Sequence, residues 1–215
     1  MSAQWSSGPP APIRITGKAI TWLIARFPAS WRLLRRPTQR FFDRLAPDWD
    51  SRTANPERMA PLEQALAGID RGPERILDLG TGTGTAALWL AERHPDASVT
   101  GVDVSEQMVA GAREKLPVAL EERLRFEVAD ASALRFSDGE FDLVVQVSAP
   151  AFFAETARVL APGGHLVVVS SLGTATPFHT PVDLLRRGFE RLGLEWVSEG
   201  AAGPGTFYVF RKPGS

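Results

Sequence analysis

The sequence predicts an α/β fold, a doubly wound sheet with helices on both faces, and three observations predict it. Short apolar runs with an acid at or next to their end recur at about one strand-plus-helix interval: Ile76-Leu77-Asp78-Leu79, Val99-Thr100-Gly101-Val102-Asp103 and Phe126-Glu127-Val128-Ala129-Asp130. Between them lie segments with helical apolar spacing, as parallel strands require. The first run passes into Gly80-Thr81-Gly82-Thr83-Gly84, with glycine at every second place, a turn that accepts positive φ and lets backbone amides approach a ligand. At 215 residues the chain can bury one full-sized core.

Taken in order, residues 1–12 are rich in Ser, Pro and Gly and read as a disordered tail. Residues 13–60 form a basic amphipathic helical arm or lid, which Pro28 and Pro37 are expected to cut into short helices. Residues 61–215 hold the catalytic body. There, residues 85–93 follow the glycine turn as a helix, with Ala86, Ala87, Leu90 and Ala91 facing the sheet. Ser105 caps the next helix and Glu106 lies at its positive end. Phe141-Asp142-Leu143-Val144-Val145 is a fourth strand, and Pro150 opens a helix over 151–160. Thr180-Pro181-Val182-Asp183 is a helix start with a capping hydroxyl, and Gly193 ends that helix. Strands over 194–199 and 206–211, joined through 200–205, close the sheet as an antiparallel hairpin.

Charge is uneven although the total is −1. Residues 1–45 carry eight Lys or Arg and one acid, Asp43, so the arm is near +7 and the remainder near −8. Ile20, Trp22, Ile24, Phe27, Trp31 and Leu33 alternate there with Arg26, Arg32, Arg35, Arg36 and Arg40. Helices folded over a catalytic mouth have this composition, and so does a peripheral membrane contact through residues 13–45. The acidic body lacks a separate basic module, so no nucleic acid partner is expected. The absence of cysteine excludes disulfides, thiolate metal sites and a cysteine nucleophile.

The glycine turn and the acids converge if the strands are neighbours, because ligands of open α/β sheets bind at the strands' C-terminal ends. Asp103 is then placed for ribose hydroxyls, against a helix cap as the ordinary alternative. Asp130 is placed for an exocyclic amine, against a loop aspartate capping the following turn. A nicotinamide-dependent oxidoreductase is the rival reading. It fits less well: its fingerprint wants glycine where Thr85 stands, and Tyr208, the single tyrosine, lies too near the C-terminus for a Tyr–Lys pair.

The three acid-tipped strands, the fourth strand and Arg158-Val159-Leu160-Ala161-Pro162-Gly163-Gly164-His165 together resemble the class I S-adenosylmethionine-dependent methyltransferases, across residues 76–170. Phe41-Phe42-Asp43-Arg44-Leu45-Ala46-Pro47-Asp48-Trp49-Asp50 resembles the FDxxAxxYD segment of their small-molecule branch, with Trp49 in place of tyrosine. The resemblance implies a Rossmann-like seven-stranded sheet of order 3-2-1-4-5-7-6 and S-adenosyl-L-methionine as cofactor. It assigns Asp78, Gly80, Thr81, Gly82 and Gly84 to the cofactor's amino-acid end, Asp103 to the ribose, and Asp130 with Ala131 to the adenine. Val104, Met108, Gln146 and Trp49 complete its surroundings, with an aromatic that anchors the arm to the body as the alternative for Trp49. His179, on the loop leaving the fifth strand, is the candidate base, against an ordinary loop histidine; Glu155 and Asp183 read as solvated helix acids. No metal is expected. The segment Gln146-Val147-Ser148-Ala149-Pro150 lacks the Asn-Pro-Pro-aromatic loop of amine-methylating relatives, which leaves a small, hydrophobic organic acceptor. A cofactor-binding partner protein that no longer methylates is the alternative of another class. The implied cofactor is an intracellular metabolite and Ala19 to Ala25 is too short to span a bilayer, so a cytoplasmic place is expected, with membrane association through the arm.

Overall fold

The computed structural model describes residues 9–70 and 72–214. The chain begins with the arm: α1 (Ala11–Arg26), α2 (Trp31–Leu45) and α3 (Trp49–Thr53). Then come α4 (Ala60–Leu66), β1 (Arg75–Leu79), α5 (Thr85–Arg93), β2 (Ser98–Asp103), α6 (Glu106–Glu114) and β3 (Leu124–Val128). The chain closes with β4 (Phe141–Val147), α7 (Phe153–Val159), β5 (Leu160–Ser170), α8 (Val182–Glu190), β6 (Glu195–Ala202) and β7 (Gly205–Arg211).

The strands make one seven-stranded sheet of order β3-β2-β1-β4-β5-β7-β6, as the resemblance implied. β1 to β5 run parallel, and β7 pairs antiparallel with both β5 and β6. Strand alternation divides the core into two layers. Ile76, Val99, Leu143, Val145 and Val167 meet α4, α5 and α6 on one face; Leu77, Leu79, Val102, Val144, Leu166 and Val168 meet α7 and α8 on the other. The reversal of strand order lies between β1 and β4, so the crevice beside the tip of β1 is where this architecture takes a ligand.

Several local expectations need correction. Of the expected tail, residues 1–8 lie outside the described residues, while Ala11 and Pro12 form the first turn of α1, where proline's missing amide costs nothing. Pro28 does break the arm, but Pro37 sits inside α2 without ending it. The buried face of Trp31 and Thr38, seven residues apart, holds the helix on the body while the proline ring stays on the exposed side. The helix expected from Ala151 starts at Phe153. The Thr180 hydroxyl does not cap α8. The closing hairpin is tighter than expected: Gly200, Ala201 and Ala202 pair with Phe207, Thr206 and Gly205, leaving a turn of Gly203 and Pro204.

Candidate active site

Asp78 is the fourth residue of β1, and its carboxylate points into the crevice, 1% exposed. Its Oδ2 accepts a hydrogen bond from the Thr81 hydroxyl at 2.7 Å, and its Oδ1 is buried with no partner. Burial pushes its pKa up to about 7; Thr81 and the Ala87 amide oppose this, and the neighbouring charge of Asp103 adds to it.

The three glycines of the turn do different work. Gly80 (φ +76°) lets the chain reverse against the tip of β4, where an added Cβ would stand 2.6 Å from the Ala149 Cβ. Gly82 donates its amide to Asp103 Oδ2 at 3.0 Å. Gly84, expected against the cofactor, is instead the left-handed residue that starts α5, and a Cβ there would meet the Phe126 ring at 2.7 Å.

Asp103, at the end of β2, also accepts the Ser105 amide at 2.9 Å. Burial raises its pKa, the amides of Ser105, Gly82 and Val104 lower it, and Asp43 raises it again. Asp130 follows β3 but belongs to the arm's attachment. Its Oδ1 accepts the Trp31 indole N–H at 2.8 Å and the Ser132 amide and hydroxyl at 2.9 and 2.7 Å; its Oδ2 accepts Arg35 at 2.9 Å. Burial would raise its pKa, but the bonds from Ser132, Arg35 and Trp31 prevail and hold it below the usual carboxylate range. An adenine amine would have to compete with all of them, and Ala129 and Ala131 line the crevice while Asp130 does not.

The crevice is a cavity of about 550 Å³, within the range of small-molecule sites. Trp49, Asp78, Gly80, Thr81, Gly82, Asp103, Val104, Met108, Ala131 and Gln146 line it; of the expected residues Gly84, Asp130 and His179 do not. The arm supplies the roof with Ile13, Trp31, Phe41, Phe42, Leu45 and Trp49. Phe42 packs at 5.8 Å on Trp49 and at 5.3 Å on Phe178, and Trp31 packs at 5.1 Å on Phe152, so an aromatic wall joins the arm to the segments after β4 and β5.

The two acids of the FDxxAxxYD-like segment fasten this roof. Asp43 accepts the Ser105 hydroxyl at 2.6 Å, and Asp50 accepts the Thr83 hydroxyl at 2.5 Å and Lys115 Nζ at 2.6 Å. The arm is thus tied to the glycine turn and to the N-terminus of α6.

The His179 expectation is not met. Its Nδ1 lies 3.0 Å from the Ser170 hydroxyl, outside the cavity wall, and burial followed by the Lys18 charge lowers its pKa. Glu155 is no solvated acid: it accepts the Leu134 amide and a two-point ion pair from Arg158, which keeps its pKa low. Among the cavity residues that sequence reasoning passed over are Arg58, Ser148 and Ser171. The place of Ser148, just past the fourth strand at the binding end, was the available signal; nothing in the sequence marks Arg58. Among the described residues no group of three or more His, Cys, Asp or Glu could hold a metal ion.

The donor set fits S-adenosylmethionine. Asp78 keeps a buried oxygen without a partner beside a second carboxylate, which suits a ligand bearing positive charge, and Asp103 retains lone pairs for hydroxyls.

Comparison with known proteins agrees. The model of the methyltransferase domain matches residues 76–164. The chain is 48% identical over 108 residues to the demethylmenaquinone methyltransferase of Thermus thermophilus, covering 47% of this chain and 49% of that one. It is 40% identical over 142 residues to the malonyl-acyl-carrier-protein O-methyltransferase of Geobacter sulfurreducens, covering 60% and 51%. The chain therefore spans about half the length of these relatives. Among solved structures it is similar to the Haloferax volcanii complex between the Trm112 methyltransferase activator and a methyltransferase (TM-score 0.67, 20% identity, 80% of this chain and 97% of that one). It is also similar to the 4+2 cyclase SpnF (TM-score 0.66, 19% identity, 83% and 96%). At such identities these two likenesses establish the fold alone. Sequence match and sheet order point the same way: residues 76–164 match a methyltransferase domain, and the sheet has the order expected of the class I S-adenosylmethionine-dependent methyltransferases, which the chain resembles.

Proposed function

We propose that the protein transfers the methyl group of S-adenosylmethionine to a small, apolar organic acceptor by in-line displacement. One observation carries this reading: a single cavity joins the carboxylates of β1 and β2 and the glycine turn to a wall of Ile13, Phe41, Phe42, Leu45, Phe152 and Phe178. Bound there, the sulfonium cofactor supplies a methyl group that is already activated. The chain's residues then have to position and desolvate. Asp103 holds the ribose hydroxyls, Asp78 and the glycine turn hold the amino-acid end, and Val104, Met108 and Ala131 flank the base. Trp49 and the aromatic roof exclude water. With His179 turned away, the reading gives no histidine a proton-transfer role. A quinone-like ring is favoured among acceptors, since the wall is aromatic and several relatives are named as demethylmenaquinone methyltransferases.

The arm's outer face supports peripheral contact with an anionic membrane. Ile15 (69%), Trp22 (49%), Phe27 (53%) and Leu33 (81%) are exposed, and Arg26, Arg32, Arg36, Arg40 and Arg44 have no acidic partner among the described residues. Among those residues no helix is long and apolar enough to cross a membrane.

Isothermal titration with S-adenosylmethionine and its demethylated product, followed by labelled-methyl transfer into metabolite extracts, tests the reading. Heat with both and a labelled apolar product are expected. No heat with either, together with binding of a nicotinamide cofactor, would replace it with the oxidoreductase.

A further inference from the structure

Two serines that line the cavity are not among the residues that the methyl-transfer reading assigns to the cofactor. β4 ends at Val147, and Ser148 then takes φ +56°, the one positive φ of a non-glycine residue among those described. Such a conformation is disfavoured for a serine, and it is retained where surrounding bonds impose it, commonly at functional sites. Here the Ser148 amide donates to the Val169 carbonyl at 2.7 Å, and the Ser148 Oγ accepts the Ser171 amide at 3.1 Å. That Oγ also lies 2.8 Å from the Ser171 Oγ, and both serines line the cavity.

A count of protons shows what the pair presents. Two hydroxyls carry two protons, and the bond between them uses one. Whichever serine donates, the second proton has no acceptor among the described residues. The pair is therefore a hydrogen-bond donor in either orientation. Its place follows from sheet order. Residues at and beyond the tips of β3, β2 and β1 carry Ala131, Asp103 and Asp78; β4 and β5 come next, each about 4.8 Å further along the sheet. Phe41, Phe42, Pro177 and Phe178 give the same cavity an apolar wall, against which a donated bond from the pair would fix orientation.

We propose that the Ser148–Ser171 pair is the acceptor's anchor, donating its spare proton to a phenolic, enolic or carbonyl oxygen of an otherwise apolar ring. That this ring is the methyl acceptor rests on the methyl-transfer reading; the oxygen-binding subsite does not.

The test compares 2-naphthol with 2-methylnaphthalene, of similar size but without the oxygen, by quenching of the tryptophans, two of which, Trp31 and Trp49, line the cavity. Each is titrated into the wild type, Ser148→Gly, Ser171→Ala and Thr38→Val, with and without the demethylated cofactor. Glycine suits the backbone at 148, so that variant should fold even if Ser171→Ala does not. Thr38 is the control because it offers a rival hydroxyl in the same cavity, buried and without a partner. The wild type should bind the naphthol about fivefold to tenfold more tightly, and Ser148→Gly and Ser171→Ala should bring the two probes within about twofold while Thr38→Val keeps the gap. Equal binding by the wild type, binding of neither probe, a gap that survives in both serine variants, or one that vanishes only in Thr38→Val overturns the anchor. Heat with the demethylated cofactor is read separately, so failure of the cofactor reading is distinguishable from failure of the anchor.

Discussion

Three aspartates that look alike in sequence differ because their oxygens are satisfied differently. Asp130 takes four hydrogen bonds and becomes a fixed part of the arm's attachment, whereas Asp78 keeps a buried oxygen free and is pushed up to about 7. On the proposed reading, Asp103→Ala should weaken binding of S-adenosylmethionine by about 1 to 3 kcal/mol, read by titration calorimetry, because it would remove charge-assisted bonds to both ribose hydroxyls. An unchanged affinity would remove Asp103 from the site. For Asp78 the folded pKa lies above the ordinary 3.8, so the folded state binds the extra proton. The stability this contributes is full below about pH 4 and is lost as pH rises through about 7. Ligand-free Asp78→Asn should therefore melt at a higher temperature than the wild type at about pH 8, with the gap closing toward about pH 4. Cofactor affinity moves the other way in the wild type. A cation prefers the ionised carboxylate, so affinity should rise from about pH 6 to about pH 8 and be flatter in Asp78→Asn. A pH-independent wild type would contradict a carboxylate that titrates near neutrality.

Among the elements, the arm and the glycine turn show how few bonds set a boundary. Asp43 and Asp50 reach from the arm to Ser105, Thr83 and Lys115, and Asp130 reaches back from the body to Trp31 and Arg35. The Arg35 pair is exposed and worth little by itself; the indole bond beneath it lies against the buried Trp31. Asp130→Ala should speed amide exchange across residues 31–45 while weakening cofactor binding less than Asp103→Ala does. Equal protection in the variant would show that aromatic packing alone holds α2. At the start of α5, Gly84→Ala introduces a side chain at φ +84° and drives it into Phe126. Urea unfolding should register a loss of about 1 to 3 kcal/mol without any direct contact to the cofactor.

For the molecule as a whole, the arm has two faces of different composition. Trp31, Phe41 and Phe42 close the cavity, while Trp22, Phe27 and Leu33 stand outward among arginines. Vesicles containing phosphatidylglycerol should sediment the protein, neutral phosphatidylcholine vesicles should not, and salt should release it. Replacing Trp22 and Phe27 together by serine should abolish sedimentation and leave cofactor binding intact. If wild type and double variant sediment alike, the outer face serves something other than a bilayer.

The strands and helices can be read from the residues alone, because strand and helix periodicities, turn glycines and acid-tipped strands are local patterns that a few adjacent residues express; the strand order followed from the family resemblance. β1, α5 and the Ser105 cap are legible in that way, and so are Asp78 and Asp103, which lie at the ends of apolar runs. Which groups are already satisfied and which face the cavity depends on long-range packing. Asp130 is taken by Trp31 and Arg35, 99 and 95 residues away in the chain, and His179 by Ser170. Pro37 stays helical because Trp31 and Thr38 are buried against the body. The Ser148–Ser171 pair exists because β4 and β5 lie side by side. Local pattern specifies backbone, but the partner of a polar atom is set by which distant segment folds against it.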